Sequence, residues 1–495
     1  MVPAVGHPDL IARRRALGAI AVLALAAALL LGGPRAAAAS PPGPSTLSTG
    51  FVDDGLFQLP GPTADLHWLG DAESLASNWV RLTADWQAIA YKHVRGAAAA
   101  NPANPGYYWP LLDEAIRAAA ATHQHVLMMI YAAPTWAEGP HRPPGALNWE
   151  PNATDYGAFV RAVATRYSGH YPDPLNPGHD FPAVTTFQIW NEPNEPVSLS
   201  PQWTRVRRGV YTPASPGIYR RLLNTGYANI KAVQPHAYVL AAGTAPYGDP
   251  PGGLREPPLV FDRALLCLNG PALKRERCPD PAHFDAFDDH PYALNPLIHA
   301  LDPDDTSVPD VHKVIHLLAV ARRDRTLAPV GPKAMWVTEL DWGSNPPDRT
   351  QGSLDLQRRY LDYALYELWR QNVSHVLWFE LADPGPGLNV FSGAGVYFQN
   401  GQPKPSAQAF HFPFIAVPSG GHGHGLIVWG RAPAAGAVTI ENGNGHTWQP
   451  QLTLTTTPGG IFYGHVPLRP HLILRAVQGT LASPGWRAVS SPNAA

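Results

Sequence analysis

The sequence predicts an α/β protein, a (β/α)8 barrel followed by a small all-β domain. Short apolar strand candidates alternate with segments that carry apolar residues every three or four positions, over most of the chain. Near Pro413 this rhythm gives way to short alternating strands separated by Gly, Asn and Pro turns. Strands that alternate with helices form parallel sheets, because parallel neighbours need a crossover connection. An open doubly wound sheet is the alternative, but no G-x-G-x-x-G follows an early strand.

Eight strand and helix units fill the predicted barrel. Seven strands begin near Trp79, Val126, Thr185, Tyr238, Phe284, Ala334 and His375. The front strand is expected at 50–59, with its helix at 72–78. Amphipathic patterns predict further helices at 112–123, 156–167, 218–233, 311–323 and 354–370. Eight such units close as a barrel of the triosephosphate isomerase (TIM) type.

The amino terminus has the pattern of an export signal. Three arginines at 13–15 precede an apolar stretch at 17–31, and alanines at 36–39 offer small-residue cleavage sites. The stretch is short for a membrane span, although an uncleaved anchor is the alternative. We therefore expect a signal peptide at 1–39, a Pro/Ser linker at 40–49, the barrel at 50–412, the β domain at 413–480 and a flexible tail at 481–495. The mature protein is expected to be extracellular and not membrane-bound.

Composition excludes several classes of protein. Apolar residues make up 45 % of the chain, which is too many for a disordered protein. Lys and Arg number 36 against 38 Asp and Glu, so no basic stripe is available for a nucleic acid partner. No H-E-x-x-H or comparable ligand cluster occurs, and we expect neither a metal nor another cofactor. The oligomeric state stays open.

Cys267 and Cys278 are the only two cysteines. They lie in a loop-like stretch, and an oxidising compartment would let them form a disulfide. Two cysteines without nearby histidines cannot complete a tetrahedral metal site.

Two glutamates follow predicted strands at positions where a barrel carries its chemistry. Glu192 closes the fourth strand in QIWNEPNEP, and Glu339 closes the seventh in MWVTELDW. The carboxyl ends of barrel strands face one shared pocket, so these side chains are expected to meet there. Cleaving an acetal needs one carboxylic acid to protonate the leaving oxygen and one carboxylate to attack or to activate water.

The motifs around these glutamates carry a resemblance. They are WNEP at 190–193, HPY at 290–292 and TE at 338–339. Together they resemble the retaining glycoside hydrolases of clan A. The loop YAAPTW at 131–136 is more similar to family 39 and its xylosidase-like relatives than to family 5, since the third strand lacks the histidine usual in family 5 cellulases. The resemblance spans about residues 50–412 and leaves the sugar and the linkage open.

The resemblance implies a role for each motif residue. Glu192 is then the acid/base and Glu339 the nucleophile. Asn191 would bond the sugar 2-hydroxyl, and Tyr292 would hold Glu339 in place. Two further residues complete the expected pocket, namely His290 in its lining and Arg81, at the end of the second strand, beneath the nucleophile.

Aromatic side chains at strand ends are the expected sugar platforms, since sugar rings stack on their faces. Trp378 on the last strand and Trp136 after the third are the best candidates. Glu195 is taken as loop surface. Glu380, on a strand where the clan has no catalytic acid, is a substrate-contact candidate at most.

The function that follows is a secreted retaining glycosidase acting on oligo- or polysaccharides. A transglycosidase with the same covalent intermediate is one alternative, because one intermediate serves both fates. A noncatalytic carbohydrate-binding barrel is the other, although such proteins normally lose one of the two glutamates. The β domain has few aromatic residues and a short apolar connection, which favours packing on the barrel over independent sugar binding.

Overall fold

The computed structural model describes residues 42–59, 61–385, 393–419, 425–467 and 473–488. The predicted signal peptide at 1–39 lies outside these residues. Within the described part of the chain, no helix has the length and apolar character needed to cross a membrane.

Eight parallel strands close into a barrel, as the sequence predicts. They are β1 Ser48–Val52, β2 Trp79–Asp85, β3 His125–Tyr131, β4 Thr186–Ile189, β5 Tyr238–Thr244, β6 Ala286–Asp289, β7 Ala334–Val337 and β8 Val373–Phe379. Each strand pairs with its sequence neighbours, and β1 pairs with both β2 and β8. The fold class is confirmed.

A helix follows every strand. They are α1 Pro62–Ser74, α2 Pro110–Ala121, α3 Ala153–Arg166, α4 Ser215–Val233, α5 Pro258–Leu265, α6 Val311–Asp324, α7 Leu354–Arg370 and α8 Pro405–His411. Several begin at recognisable caps: Asn152 accepts hydrogen bonds from the first turn of α3, and Ser353 does the same for α7. Single helical turns occur at Asp54–Phe57, Trp86–Ile89, Gly96–Ala100, Thr135–Ala137 and Val308–Asp310.

The barrel interior is apolar in its middle and polar toward the carboxyl ends of the strands. Alternate residues of each strand point inward, and an inner cluster is formed by Val52, Leu127, Leu240, Ala286, Trp336 and Leu377. Polar residues stand two positions after Trp79, Ala286 and Trp336, at Arg81, Asp288 and Thr338, and all three are nearly or fully buried. This polar layer lies directly beneath the carboxyl ends of the strands, where the candidate site is found.

Several element boundaries differ from the sequence predictions. The front strand is Ser48–Val52 rather than 50–59, so the predicted linker at 40–49 ends inside the barrel. Its helix is α1 rather than 72–78, because the segment after Ser74 leads directly into β2. The helix α5 and a hairpin of strands Trp203–Arg207 and Val210–Pro213 were not predicted. Both are short and interrupt the main rhythm of strands and helices.

The carboxy-terminal domain consists of two antiparallel sheets, which confirms its all-β class. One sheet contains β9 Phe414–Pro418, β10 Gly425–Arg431 and β13 Ile461–Pro467. The other contains β11 Ala437–Gly443, β12 Trp448–Thr455, β14 Ile473–Gln478 and the short strands Leu481–Ala482 and Trp486–Arg487. The predicted flexible tail at 481–495 is therefore wrong for its first part, since Trp486 is 1 % exposed and its strand pairs with β14.

The β domain packs on helix α7 of the barrel. Trp429 is fully buried, with its ring centroid 5.5 Å from Trp369 and 5.6 Å from Tyr366 of α7. The backbone N–H of Phe414 donates to the buried carboxylate of Asp362 at 3.1 Å. Large buried aromatic contacts of this kind characterise a domain core rather than a flexible tether.

Removal of the β domain is expected to leave a barrel that is insoluble or strongly destabilised. Truncation after Phe412 exposes Tyr366 and Trp369, each worth roughly 2 kcal/mol of burial. Thermal unfolding and soluble yield measure the loss. Trp429→Ala should destabilise the full chain by about 3 to 5 kcal/mol, while Trp448→Ala, at a half-buried position away from α7, should cost much less. A soluble truncated barrel with unchanged activity on small glycosides would contradict this.

Candidate active site

The two predicted catalytic carboxylates meet at the carboxyl end of the barrel. Glu192 follows β4 and Glu339 follows β7. A carboxylate oxygen of each, together with a ring nitrogen of His290, all lie within 4.8 Å of one another. The structure therefore brings together side chains that are far apart in sequence.

An irregular backbone after β4 aims Glu192 into the mouth. Trp190 and Glu192 both have positive φ values, 68° and 42°, which are strained for residues with a side chain. Hydrogen bonds hold this conformation: the Trp190 amide donates to the Ile130 carbonyl at 3.1 Å, and its indole N–H donates to the Ser198 carbonyl at 2.8 Å. The Glu192 amide donates to the Gly243 carbonyl at 3.0 Å. The strain is thus compensated by contacts on both sides of the loop.

Asn194 joins this loop to the next one. It is fully buried, and its amide group donates to the carbonyls of Ala245 and Glu256 at 3.0 and 3.1 Å. Its oxygen accepts from the Ala245 amide at 2.8 Å. Because all of these partners follow β5, the loops after β4 and β5 form one rigid wall of the mouth.

Glu339 is surrounded by donors. Arg81 forms an ion pair with one carboxylate oxygen, and Tyr292 donates to the other at 3.0 Å. Burial alone would raise the pKa of Glu339, but the charges of Arg81 and His290 and the hydrogen bonds from Arg81 and Tyr292 hold that pKa below its ordinary value. Glu339 is therefore an ionised carboxylate fixed in orientation. Arg81 is the third residue of β2, not its end as predicted, which places it beneath Glu339 inside the barrel.

His290 bridges the two carboxylates. Its Nδ1 lies 3.1 Å from Glu192 Oε1 and 3.8 Å from Glu339 Oε1, and its Nε2 lies 3.0 Å from the Thr338 hydroxyl. Burial works against its positive charge, yet Glu339, Asp288 and Glu192 together raise the pKa of His290 to about 10. At neutral pH the ring is an imidazolium that donates from both nitrogens.

Asp288 and Thr338 support this histidine from below, and sequence reasoning assigned neither a role. Asp288 is fully buried, accepts from the Thr338 amide at 2.9 Å and from its hydroxyl, and lies 3.5 Å from His290 Nε2. The signal in the sequence is strand alternation: Asp288 stands two positions before His290 and so shares its inward face.

The trio of Glu192, His290 and Glu339 has the composition of a metal site. Two of its members already have protein partners, since Arg81 forms an ion pair with Glu339 and His290 Nε2 contacts the Thr338 hydroxyl.

Asn191 follows β4 and directly precedes Glu192. Its side-chain oxygen is buried and has no hydrogen-bond partner among the residues that the structure describes. A buried carbonyl oxygen without a donor is costly, which favours a substrate hydroxyl as its partner. This placement is compatible with the predicted contact to the sugar.

Trp378 does not form the floor of the site, contrary to the prediction. It is 2 % exposed, belongs to the core outside the barrel, and its indole N–H donates to the Ala394 carbonyl at 2.9 Å. Alternation along β8 explains the difference, because Leu377 and Phe379 point into the barrel and Trp378 therefore points away. Phe379, half-buried at the end of the strand, is the aromatic residue on the inward face.

Trp136 lies in the loop after β3, as predicted. Its ring stacks on His93 with centroids 4.8 Å apart, and the Arg95 guanidinium lies 5.3 Å from its centroid. These contacts connect Trp136 to the loop after β2, and its role as a sugar platform stays a prediction.

Additional carboxyl groups border Glu339. The Phe379 amide donates to the Leu340 carbonyl at 3.1 Å, which brings Glu380 alongside Asp341. Burial and the nearby charges, those of Asp341, Asp383 and Glu339, raise the pKa of Glu380 to about 8, and burial together with Glu339 raises that of Asp341 to about 8. These groups are therefore largely uncharged at neutral pH, unlike Glu339.

The loop glutamate Glu195 also has an altered pKa. Burial, followed by the charge of Glu192, raises its pKa to about 7. Sequence reasoning assigned it to the loop surface, whereas the structure leaves it only partly exposed.

The buried carboxyl of Glu380 gives a pH-dependent prediction. In the folded chain it keeps its proton up to about pH 8, whereas the unfolded chain loses it near pH 4 to 5, so rising pH favours unfolding over this interval. Glu380→Gln should therefore be more stable than the parent by on the order of 2 kcal/mol at pH 8 and by little at pH 5. Thermal unfolding at both pH values measures this. Glu276→Gln, at an exposed position, is the control, and a difference independent of pH would contradict the assignment.

A disulfide joins Cys267 and Cys278. It lies in the connection between α5 and β6, where the Arg220 guanidinium donates to Cys267 Sγ at 3.3 Å.

Comparisons with known proteins identify similar architectures. No family model and no curated protein matches this chain. Among solved structures, a family 39 (GH39) enzyme from Xanthomonas axonopodis pv. citri is 15 % identical with a TM-score of 0.47, over 91 % of this chain and 99 % of that one. A glucosidase from Croceicoccus marinus is 12 % identical with a TM-score of 0.47, over 87 % and 95 % of the two chains. A family 30 (GH30) endoxylanase from Clostridium papyrosolvens C71 is 11 % identical with a TM-score of 0.45, over 86 % and 94 %.

Proposed function

We propose that this chain is a secreted, retaining glycoside hydrolase that cleaves β-linked O-glycosidic bonds through a covalent glycosyl-enzyme intermediate. The observation that carries the proposal is the pair Glu192 and Glu339, which converge at one mouth in different environments. Acetal hydrolysis needs one carboxyl group that exchanges a proton and one that stays ionised.

The separation of the carboxyl groups supports a retaining mechanism. Oxygens of Glu192 and Glu339 lie within 4.8 Å of each other. Retaining enzymes keep their two carboxyl groups about 5 to 5.5 Å apart, whereas inverting enzymes leave about 6.5 to 9.5 Å for a water molecule. An oxygen–oxygen distance within 4.8 Å supports the retaining arrangement over the inverting one.

Glu339 fits the role of nucleophile. It is ionised and held by Arg81 and Tyr292, so its attacking oxygen needs little reorganisation. The positive charges beside it also stabilise the carboxylate when it leaves in the second step.

Glu192 fits the role of acid/base. Its side chain is 22 % exposed against 10 % for Glu339, so it borders the open mouth where a leaving group departs and water enters. His290 donates to Glu192 and interacts with Glu339, and so links the proton balance of the two carboxyl groups. Glu339 loses its negative charge when it forms the glycosyl ester. Glu192 then no longer lies beside a second carboxylate charge.

Two alternatives remain to be separated by experiment. A transglycosidase would use the same intermediate and pass it to a sugar hydroxyl, and product analysis with and without an acceptor sugar tells the two apart. A noncatalytic sugar-binding barrel would turn over no glycoside. The intact donor set around Glu339 favours an enzyme, because it preserves an ionised nucleophile that binding alone does not need.

The test of the proposal is the stereochemistry of hydrolysis. A panel of aryl β-glycosides identifies a cleaved substrate, and proton NMR then records the anomer formed first. We expect the β-anomer to appear before mutarotation. First appearance of the α-anomer from a β-glycoside would contradict the retaining mechanism, and absence of cleavage across the panel and across plant and bacterial polysaccharides would contradict the enzyme.

Secretion rests on the sequence pattern at 1–39 and has its own test. Amino-terminal sequencing of protein recovered from the culture medium is expected to begin near Ser40. Protein retained in the membrane fraction with an intact amino terminus would indicate an uncleaved anchor instead.

A further inference from the structure

A hairpin projects from the loop that carries the acid/base. Within the described residues its strands, Trp203–Arg207 and Val210–Pro213, pair only with each other, and a turn with Gly209 at a φ of 72° joins them. Most of its side chains are exposed, including Val206 at 62 %. An isolated two-stranded hairpin adds little stability of its own. The presence of this exposed hairpin therefore indicates a role other than stabilising the core.

The hairpin has a concentrated positive charge. Arg205, Arg207 and Arg208 are all exposed, and none of them forms an ion pair with any residue that the structure describes. Most arginines elsewhere in the barrel have a carboxylate partner, as Arg117 does with Asp173. Three positive charges without an ion-pair partner among the described residues therefore lie within four positions of the hairpin.

The root of the hairpin adjoins the catalytic loop. The side-chain amide of Gln202 donates to the carbonyl of Pro193, the residue after Glu192, at 3.0 Å. The Ala214 amide at the other end donates to the buried carboxyl of Glu256 at 3.1 Å. The hairpin is therefore anchored to the same wall of the mouth as the acid/base.

Tyr211 connects the hairpin to the loop after β5. The space beside Gly252 is filled by the Tyr211 ring, and a Cβ placed there would lie 2.5 Å from it. A glycine is thus required for this close approach, and the hairpin and the 247–256 loop form one continuous rim.

Resting on the proposed function, we propose that this hairpin is a binding surface for the leaving-group side of an acidic glycan, one that carries carboxylate or sulfate groups. The acid/base must reach the glycosidic oxygen, so the loop beyond it borders the sugar units that depart. Arginine binds carboxylate and sulfate oxygens through paired N–H donors, and exposed clusters of like charge recognise polyanions.

The hairpin determines charge preference only on the leaving side of the substrate. Glu339 is already paired with Arg81, and its neighbours Glu380 and Asp341 are largely uncharged, so these groups set no charge requirement on the sugar that is attacked. The expected substrate is therefore a glycan with acidic groups along the leaving side.

Native affinity electrophoresis tests the surface without relying on catalysis. Gels contain polygalacturonate, dextran sulfate or neutral xylan. The variant is Arg205→Ser, Arg207→Ser and Arg208→Ser combined. The control variant is Lys274→Ser, Arg275→Ser and Arg277→Ser, which removes three equal charges from exposed positions in the connection between α5 and β6.

We expect the parent chain and the control to be retarded by one or both acidic polymers and not by xylan. The hairpin variant should bind at least 10-fold more weakly, and the slope of log Kd against log salt should fall by about 2 to 3. Comparison of the two acidic gels tells carboxylate from sulfate. The kcat/KM for a small neutral aryl glycoside should be unchanged in the hairpin variant, because that substrate does not reach the rim.

Retardation that is unchanged in the hairpin variant, or lost equally in the control, overturns the inference. Binding of the hairpin to anionic phospholipid vesicles without retardation by either polymer also overturns it and indicates a membrane surface. If hairpin-dependent binding is found while no glycoside is cleaved, the surface stands and the proposed function fails. If glycosides are cleaved but no hairpin-dependent binding is found, the proposed function stands and the binding surface fails.

Discussion

The Glu339→Ala variant is expected to hydrolyse every glycoside at least about 10⁴-fold more slowly than the parent, since no other ionised carboxylate occupies its position. Glu192→Ala should behave differently. Substrates whose leaving group needs no protonation, such as dinitrophenyl glycosides, should still form the glycosyl-enzyme, while poor leaving groups should react very slowly. Comparison of kcat/KM across a series of leaving groups measures this division of roles.

Azide adds a diagnostic product. In Glu192→Ala the anion can enter the space of the missing acid/base and attack the intermediate, which yields a β-glycosyl azide and restores turnover on good leaving groups. In Glu339→Ala no such intermediate forms, and azide on the opposite face would yield an α-glycosyl azide at most. Equal losses on good and poor leaving groups in Glu192→Ala would show that its role is wrongly assigned.

Arg81→Met is expected to impair both catalysis and stability. It leaves the buried Glu339 without its cation, which should raise the pKa of Glu339 and move the acidic limb of the kcat/KM profile to higher pH. Breaking a buried ion pair costs about 3 to 5 kcal/mol. Loss of nucleophile positioning should lower kcat by about 10² to 10³-fold.

A matched variant separates these effects. Arg166→Met breaks the buried ion pair with Asp113 in the helical layer, remote from the mouth. It should destabilise the chain by a similar amount and leave the pH profile in place. If both variants shift the acidic limb equally, Arg81 does not act through Glu339.

The sequence predicts the barrel well because strand and helix periodicity is a local signal. All eight strands were located, and helix α7 was predicted with its observed bounds. The errors fall where elements are short or where tertiary pairing decides. The strands Phe414–Pro418 and Trp486–Arg487 were not predicted because both are short, although each pairs with a strand close to it in the sequence.

The candidate site shows the same division. Glu192, Glu339, His290 and Tyr292 could be placed because each belongs to a motif at a strand end. Trp378 was misplaced because a strand presents alternate residues to opposite faces, and the register was fixed only by pairing with its neighbours.

The polar layer beneath the site was not predicted for a related reason. Asp288 and Thr338 act through His290, and their roles depend on distances across neighbouring strands. The sequence also did not predict a binding role for the hairpin arginines, because that role depends on the position of the hairpin beside Glu192.

Trapping the covalent intermediate tests the central assignment most directly. A 2-deoxy-2-fluoro glycosyl fluoride of the sugar found in the substrate panel slows both steps, and its good leaving group lets the intermediate accumulate. Peptide mass spectrometry of the labelled protein should locate the sugar on Glu339, and Glu339→Ala should remain unlabelled. A label on Glu192, Glu380 or any other residue, or turnover of the parent substrate with no label at all, would contradict the account.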